Sequence, residues 1–281
     1  MYLRKTFLPR SIQDAAATFF FVFMIPITFW FELWIVIPEI HGSWSFFHTI
    51  YFILGLFLLY NISANLLAVI LVDTSTKPLM INPPPDAQTK GWIFCATCEA
   101  ISPPRSWHCP VCDVCILKRD HHCMFSGSCV GHANHRYFIM LLVHLVIATA
   151  FSSIYNSYYL WFLHGADFRN LVSLVNMLFP VAVLMVDSST KQYYLVIYLI
   201  LVIGSLLVGA LLFYHWNLVS NGIVVHEKNK RPQFSYNYGF WENWKVVLGE
   251  KYYLAWISPF IESPQSHDGI YWEPVETNKN R

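Results

Sequence analysis

The sequence has few charged residues for its length. Asp, Glu, Lys and Arg make up 12% of its 281 residues, whereas hydrophobic residues make up 56%. So little charge excludes an ordinary soluble domain and is typical of membrane proteins. The formal net charge of +1 gives no general case for nucleic-acid binding, so no nucleic-acid partner is expected.

Cysteine is missing from most of the chain, because all seven cysteines lie between Cys95 and Cys129. This clustering argues against a disulfide framework and favours a reducing compartment such as the cytosol. Cys-x2-Cys spacing, which lets two thiolates bind one metal ion, occurs three times. The pairs are Cys95 with Cys98, Cys109 with Cys112, and Cys112 with Cys115, and the histidines beside them are His108, His121 and His122.

Two closed Cys3His zinc sites would use six cysteines and two histidines and would leave one cysteine over. The remaining cysteine is expected to be Cys123, which stands outside the three pairs and follows Asp120 and His121. An adjacent imidazole can deprotonate a thiol, and a carboxylate can orient that imidazole. Spacing alone leaves two interpretations open: metal binding and capping by all of these residues, or a spare nucleophile.

Four apolar runs are long enough to cross a membrane. They comprise residues 15–38, 46–72, 137–162 and 193–214. The first run is longer than a signal-peptide core and no small-residue cleavage site follows it, so we expect it to remain as a helix. Glu32 is its one charge, and the neighbouring Trp34 and Pro38 favour a position near the membrane interface.

A fifth apolar run, residues 171–186, is shorter and contains Pro180. Only two of the 18 Lys and Arg residues, Arg169 and Lys191, lie between the third and fourth long runs. Four spans would therefore place the other basic residues on one side, as expected for cytoplasmic loops. A fifth span would put the basic tail opposite the cysteine-rich segment. We interpret 171–186 as a lumenal re-entrant or interfacial segment.

These patterns predict an all-α polytopic membrane protein with four transmembrane helices and a cytosolic cysteine-rich zinc-binding domain between helices 2 and 3. The predicted parts are a cytosolic N-terminus (1–14), helices 1 and 2 (15–72), a cytosolic linker and zinc domain (73–136), helices 3 and 4 with a lumenal loop (137–214), and a cytosolic C-terminal tail (215–281). We expect an integral, multi-pass protein of the endomembrane system, in the ER or Golgi.

The stretch from Cys95 to Phe138 resembles the DHHC protein S-acyltransferases, or palmitoyltransferases. The matching residues are Cys95-x2-Cys98, Pro104-Arg105-x2-His108-Cys109, Cys112, Cys115, Asp120-His121-His122-Cys123, Cys129-Val130-Gly131 and Asn134. The resemblance implies two structural zinc ions. Their ligands would be Cys95, Cys98, His108 and Cys115 for the first, and Cys109, Cys112, His122 and Cys129 for the second.

The resemblance also implies an enzyme that moves a palmitoyl group from palmitoyl-CoA to cysteine thiols of membrane-associated proteins at the lipid bilayer. His121, oriented by Asp120, would deprotonate Cys123, and an acyl-Cys123 intermediate would give ping-pong kinetics. Arg105 is expected to contact the phosphates of the acyl-CoA co-substrate. For Lys118 and Arg119, attraction to anionic lipid is an equal alternative.

Several positions depart from the family pattern. Phe125 replaces a usual Trp, Val224-Val225-His226-Glu227 replaces Thr-Thr-x-Glu, and Asn237 replaces a usual aspartate in a C-terminal aromatic motif. The missing threonines put the bracing of the active site in doubt, but not the nucleophile. For Phe125 we expect reduced or altered activity rather than loss, because the set of Asp120, His121 and Cys123 is intact. The position that closes the acyl cavity in the family falls near Ala148 or Thr149, whose small side chains favour chains longer than palmitate.

Two other classes of protein are alternatives. A catalytically idle, zinc-stabilised membrane scaffold would keep the metal ligands but would need neither Asp120 nor His121. A membrane ubiquitin ligase would use eight ligands at other spacings and no lone cysteine. The intact Asp120 and His121 beside Cys123 favour the transferase.

Overall fold

The computed structural model describes residues 2–163, 171–230 and 235–275. Eight α-helices follow one another along these residues, and a short 3-10 helix, Tyr252–Leu254, comes after the last of them. They are α1 (Ile12–His41), α2 (Phe46–Leu71), α3 (His135–Leu163), α4 (Leu171–Leu178), α5 (Pro180–Leu184), α6 (Thr190–Ser220), α7 (Val225–Lys230) and α8 (Phe240–Leu248). Of these, α1, α2, α3 and α6 are long and apolar enough to cross a membrane, as the sequence predicted.

The apolar stretch 171–186 does not form a further long helix. It folds as α4 and α5, which are interrupted at Phe179 in front of Pro180. Both helices are too short to cross a bilayer, which agrees with the prediction of four spans. The start of the predicted lumenal loop, 164–170, and the end of the C-terminal tail, 276–281, lie outside the described residues.

Serine caps begin three of the long helices. Each serine side chain accepts the backbone N–H three residues further on, which satisfies a donor that the first helical turn leaves free. The pairs are Ser11 with Asp14 at 3.0 Å, Ser45 with His48 at 3.1 Å, and Ser189 with Gln192 at 3.4 Å. These caps place the helix starts at Ile12, Phe46 and Thr190.

The cysteine-rich segment between α2 and α3 forms three antiparallel hairpins. Strand β1 (Ile93–Cys95) pairs with β2 (Ala100–Ser102), β3 (Trp107–Cys109) with β4 (Val114–Ile116), and β5 (His121–Cys123) with β6 (Ser128–Val130). The fold is mostly helical, but the all-α description omits these strands. Strands of three residues are too short to show a period-2 hydrophobic pattern, so they could not be predicted from hydropathy.

The chain divides into two compact units. The first comprises Met1–Val22, Ser63–Leu141 and Phe213–Arg281, and the second comprises Phe23–Ile62 and Leu142–Leu212. All three hairpins belong to the first unit, and so does every residue that the sequence predicted to be catalytic, to bind cofactor or to bind metal.

The second unit has an aromatic and aliphatic core that includes Phe31, Tyr159 and Tyr198. Glu32 is only 7% exposed there and accepts a hydrogen bond from Asn156. Burial of a carboxyl group requires a polar partner, and Asn156 supplies one. The expected position of Glu32 near the membrane interface stays a prediction. Glu32 also lines a cavity of about 70 Å³ together with Ala148 and Thr149.

Candidate active site and metal centres

The structure gathers the eight candidate metal ligands into two groups, which match the sets that the resemblance implied. The first metal centre is Cys95, Cys98, His108 and Cys115, and the second is Cys109, Cys112, His122 and Cys129. Within each centre the ligand atoms all lie within 4.8 Å of one another.

The spacing in the second centre suits zinc. The Sγ atoms of Cys112 and Cys129 are 3.7 Å apart, and Nδ1 of His122 lies 3.4 Å and 3.6 Å from them. Tetrahedral zinc, with Zn–S of about 2.3 Å and Zn–N of about 2.0 Å, places neighbouring ligand atoms about 3.5–3.8 Å apart. Three thiolates and one imidazole are also a usual donor set for structural zinc.

The middle hairpin explains how two metal centres share one short segment. Successive residues of a strand point to opposite faces. His108 and Cys109 are neighbours in β3, and they belong to the first and second centres respectively. Strand pairing sets His108 directly opposite Cys115, its partner in the first centre. The hairpin therefore separates the two centres.

Two carboxylates contact the metal-facing histidines, and the sequence analysis missed both. Oδ2 of Asp14, from the first turn of α1, lies 3.2 Å from Nε2 of His122, and Oδ1 of Asp113 lies 3.7 Å from Nε2 of His108. Only the Asp14 contact has hydrogen-bond length, and a carboxylate bonded to the far nitrogen of a ligand histidine fixes its tautomer and ring orientation. Asp14 carried no motif that could have linked it to a metal centre.

The last hairpin separates a candidate metal ligand from the candidate catalytic residues. In β5, alternation puts His121 and Cys123 on one face and His122 on the other. His122 faces the second metal centre and lies opposite Cys129 in β6. Cys123 belongs to neither centre, so its thiol is left for other chemistry.

Asp120 orients His121 for Cys123. The Nδ1–H of His121 donates to Oδ2 of Asp120 at 2.6 Å, which leaves Nε2 for the hydrogen bond with Cys123. The Asp120 side chain is fully buried, and its Oδ1 accepts the backbone N–H of Val225 at 3.0 Å. The carboxylate is therefore fixed through both oxygens, as an orienting group should be.

The pKa shifts follow from this geometry. Burial by itself lowers the pKa of His121, but the hydrogen bonds to Asp120 and Cys123 outweigh burial and raise that pKa to about 9. Burial raises the pKa of the Cys123 thiol, whereas the hydrogen bond and charge of His121 lower it, and the net direction is downward. Hydrogen bonds from the Ser126 side chain and the Phe125 backbone also lower the Cys123 pKa. The arrangement favours a thiolate beside an imidazolium.

A second histidine, His215 near the end of α6, lies against the same carboxylate. Its Nδ1 is 3.6 Å from Oδ2 of Asp120, and its ring packs against His121 and Phe138. Asp120, His121 and His215 form a third group of possible metal ligands. The 2.6 Å between Asp120 and His121 is a hydrogen-bond distance, shorter than the roughly 3.3 Å between two ligand atoms on one tetrahedral ion. The sequence analysis missed His215, because nothing but the fold brings it to Asp120.

The segment around α7 braces the site without the threonines that the family usually has. Val225 binds Asp120 through its backbone N–H, so the side chain is not needed for this contact. Glu227 accepts the backbone N–H of Val224 at 3.0 Å and binds Arg105 through both carboxylate oxygens, at 2.6 Å and 2.7 Å. The bracing that the substitutions put in doubt is thus supplied by backbone groups and by Glu227.

Arg105, predicted to contact CoA phosphates, lies inside the protein. Its side chain is 2% exposed, is bonded to Glu227 and to the carbonyl of Gly222, and stacks between the rings of Tyr236 and Trp272. Lys118 is also buried, and burial together with the charge of Arg105 lowers its pKa to about 7. Phosphate binding by these residues stays a prediction, and the observed contacts favour a bracing role for Arg105.

Phe125, where the family usually has Trp, lies in the turn between Cys123 and β6. The side chain is 46% exposed and makes an edge-on contact with Phe21 of α1. The ring therefore retains an aromatic contact beside the nucleophile, while its backbone N–H faces the Cys123 thiol.

The described residues contain four helices able to cross a membrane and two ligand groups compatible with zinc. Beside them lies a carboxylate–imidazole–thiol group, which is the arrangement found in enzymes that use a cysteine nucleophile. Residues 88–232 match the DHHC palmitoyltransferase family, and the chain belongs to this family. The family and the enzyme class that the sequence predicted, a protein S-palmitoyltransferase, are thereby confirmed.

Individual relatives agree with the family match. The chain is 34% identical over 195 residues to the probable palmitoyltransferase ZDHHC24 of Rattus norvegicus, which covers 66% of this chain and 65% of that protein. It is 33% identical over 222 residues to the Homo sapiens protein of the same name, covering 78% and 77%. The palmitoyltransferase ZDHHC2 of Homo sapiens is 29% identical over 178 residues, covering 60% of this chain and 43% of that protein.

Proposed function

We propose that the protein transfers a palmitoyl group from acyl-CoA to cysteine thiols of membrane-associated proteins through an acyl-Cys123 intermediate. The observation that carries this proposal is the position of Cys123. It is the one cysteine of the seven outside both metal centres, and it is bonded to a histidine that a buried carboxylate orients. This is the arrangement that activates a thiol as a nucleophile.

In the first half-reaction the Cys123 thiolate attacks the thioester carbonyl of acyl-CoA. The bond from the carbonyl carbon to the CoA sulfur breaks and CoA leaves as a thiolate. The CoA thiolate then takes the proton held on His121. The product is a thioester on Cys123. In the second half-reaction a substrate cysteine gives its proton to His121 and takes the acyl group, which regenerates Cys123. Each step breaks one thioester and forms another, so the transfer is nearly balanced in energy.

The metal centres support this chemistry structurally. Cys95, Cys98, His108 and Cys115 would hold one zinc ion, and Cys109, Cys112, His122 and Cys129 a second. Bound zinc would fix the three hairpins, which are too short to be stable alone. His122 is the neighbour of both His121 and Cys123, so zinc binding at the second centre would hold β5 in the orientation that catalysis needs.

The membrane supplies the acyl donor and the acceptors. Burial of each methylene of an acyl chain contributes about 0.8 kcal/mol, which amounts to roughly 10 kcal/mol for a palmitoyl tail. We place the N-terminus, the cysteine-rich segment and the C-terminal tail on the cytosolic side, because the basic residues cluster in these parts. We assign the protein to an ER or Golgi membrane as part of the proposal. Small side chains at Ala148 and Thr149 favour acceptance of chains longer than palmitate.

Isotope exchange tests the ping-pong scheme. Purified protein with palmitoyl-CoA and labelled CoA, but without an acceptor protein, is expected to form labelled palmitoyl-CoA, because the first half-reaction is reversible. Cys123→Ala should abolish the exchange. Comparison of palmitoyl-CoA with stearoyl-CoA tests chain length, and a clear preference for shorter chains would contradict the role given to Ala148 and Thr149. A folded, zinc-loaded protein without any exchange would support the idle scaffold instead.

A further inference from the structure

A cavity of about 630 Å³ lies in the first unit, and none of Asp120, His121 and Cys123 lines it. Its walls come from the N-terminal segment 2–10, from the turn that follows α2, and from the second metal centre. This volume falls in the range of small-molecule binding sites. The proposed transferase mechanism gives this cavity no role.

Backbone hydrogen bonds hold the N-terminal wall of the cavity in place. Leu3 and Val72 form an antiparallel bridge. The N–H of Asp73 donates to the carbonyl of Tyr2 at 2.9 Å, and the N–H of Arg4 donates to the carbonyl of Leu71 at 2.8 Å. The segment is therefore paired with the end of α2, and the cavity is part of the fold.

The lining is strongly basic. Four cations, Arg4, Lys5, Arg10 and Lys77, face one carboxylate, Asp73. The second metal centre also borders the cavity, and three thiolates with one Zn²⁺ would carry a net charge of −1 there. The net charge of the lining is about +2 even with zinc bound at the second metal centre. This charge favours a small anion with two negative charges.

Among the described residues, the two lysines have no anionic partner. Arg4 and Arg10 donate to the carbonyls of Ile70 and Cys112. In the described ranges 2–163, 171–230 and 235–275, by contrast, Lys5 and Lys77 make no hydrogen bond or ion pair. Asp73 pairs with neither lysine in the described residues, and its Oδ1 accepts the backbone N–H of Ser75 at 2.9 Å.

The cavity lies where two of the candidate membrane helices end. Helix α1 begins at Ile12, just after the basic segment, and α2 ends at Leu71, just before Asp73. Residues next to the ends of transmembrane helices lie at the depth of the lipid headgroups. A phosphate at that depth is within reach of the cavity without leaving the bilayer surface.

We propose that this cavity binds a phosphate anion between Lys5, Lys77 and the two arginines, and that the headgroup of an anionic phospholipid supplies it. Arginine and lysine side chains are the usual protein donors to phosphate oxygens. The ligand would fasten the N-terminal segment to the end of α2 and to the second metal centre. The inference does not depend on the transferase mechanism.

Native mass spectrometry of the zinc-loaded, full-length chain tests the proposal, with phosphatidic acid or phosphatidylcholine added in turn. The wild type is expected to retain one phosphatidic acid molecule and to show no preference for phosphatidylcholine. Lys5→Gln with Lys77→Gln should bind phosphatidic acid about 30-fold more weakly, because each cation near a lipid headgroup contributes a factor of about five. The control Lys228→Gln with Lys251→Gln removes the same charge outside the cavity and should bind like the wild type.

Further variants and a competition with inorganic phosphate separate the possible outcomes. Equal binding by the Lys5/Lys77 variant and the wild type would overturn the proposal, and so would an equal loss in the Lys228/Lys251 control, which would indicate general charge attraction. Lys5→Arg with Lys77→Arg should keep the lipid, and a folded form of this variant without lipid would also overturn it. Displacement of the lipid by millimolar inorganic phosphate would assign the site to free phosphate, and persistence would assign it to the lipid headgroup.

Discussion

At the scale of single residues, Asp120 is the group on which the site depends most. Its carboxylate accepts the Nδ1–H of His121 through one oxygen and the backbone N–H of Val225 through the other. Because it is buried and doubly bonded, it can hold His121 in the tautomer whose Nε2 meets Cys123. His215 packs against the same pair and restricts their movement.

Asp120→Asn is expected to slow acyl-enzyme formation by at least about 100-fold, because an amide can donate to His121 and so favour the wrong tautomer. The measurement is the single-turnover rate with palmitoyl-CoA. Asp86→Asn, an exposed aspartate that pairs with Lys90, is the matched control and should react like the wild type. A rate close to wild type in Asp120→Asn would refute the orienting role of Asp120.

The sequence predicted Cys123, His121 and Asp120 because they are adjacent, so a count of cysteines and one motif were sufficient to single them out. Asp14 and His215 could not be found in this way. Each is brought to its partner by a long helix that starts or ends far from it in the chain. The motif predicted an arginine at position 105, but it could not predict that this side chain is buried and paired with Glu227.

At the scale of elements, α7 supports Asp120 through a backbone group. Val225 is the first residue of α7, and its N–H, which helix geometry leaves free, donates to Asp120. The sequence put the bracing of the active site in doubt, because it shows valine in place of threonine. A sequence does not show the backbone contact that Val225 makes.

Val225→Pro tests the backbone contact directly. Proline is tolerated at the first position of a helix, so the change removes the N–H with little other effect. Loss of a hydrogen bond to a charged group costs about 1.5–3 kcal/mol, so acyl-enzyme formation should slow by about 10-fold or more. Val225→Ala keeps the N–H and is expected to react like the wild type. Equal rates for the proline and alanine variants would show that the N–H does not support Asp120.

The ligands in the hairpins allow a prediction of how many zinc ions the protein contains. The wild type is expected to contain two zinc ions per chain by elemental analysis, because the Asp120, His121 and His215 group has a hydrogen-bonded rather than a metal-ligand spacing. His122→Ala should lose one ion, whereas Asp120→Asn should keep both. A third ion in the wild type that disappears in Asp120→Asn would contradict this assignment.

At the scale of the whole molecule, the C-terminal tail is joined to the cysteine-rich segment through Arg105. This side chain binds Glu227 and stacks on Tyr236 and Trp272. In the same unit Asn243 of α8 donates to the carbonyl of Ser220 at the end of α6 and accepts the N–H of Tyr238. Hydropathy and charge placement predicted the four long helices, whose signal is long-range and strong. They could not predict these polar contacts, which depend on tertiary packing.

Glu227→Ala should destabilise the protein, because it leaves the Arg105 guanidinium buried without its counter-charge. Removing one partner of a buried ion pair costs about 3–5 kcal/mol of unfolding free energy. Unfolding in detergent measures the effect, and Glu242→Ala, at an exposed pair with Lys245, should change stability by less than about 1 kcal/mol. Wild-type stability in Glu227→Ala would mean that the ion pair does not hold the tail.

The most direct test of the account is whether Cys123 carries the acyl group. Purified protein incubated with fluorescent palmitoyl-CoA is expected to give a labelled band on a non-reducing gel. Hydroxylamine should remove the label, because it cleaves thioesters, and Cys123→Ala should show no band while keeping two zinc ions. A band that persists in Cys123→Ala, or no band from folded, zinc-loaded wild type, would contradict an acyl-Cys123 intermediate.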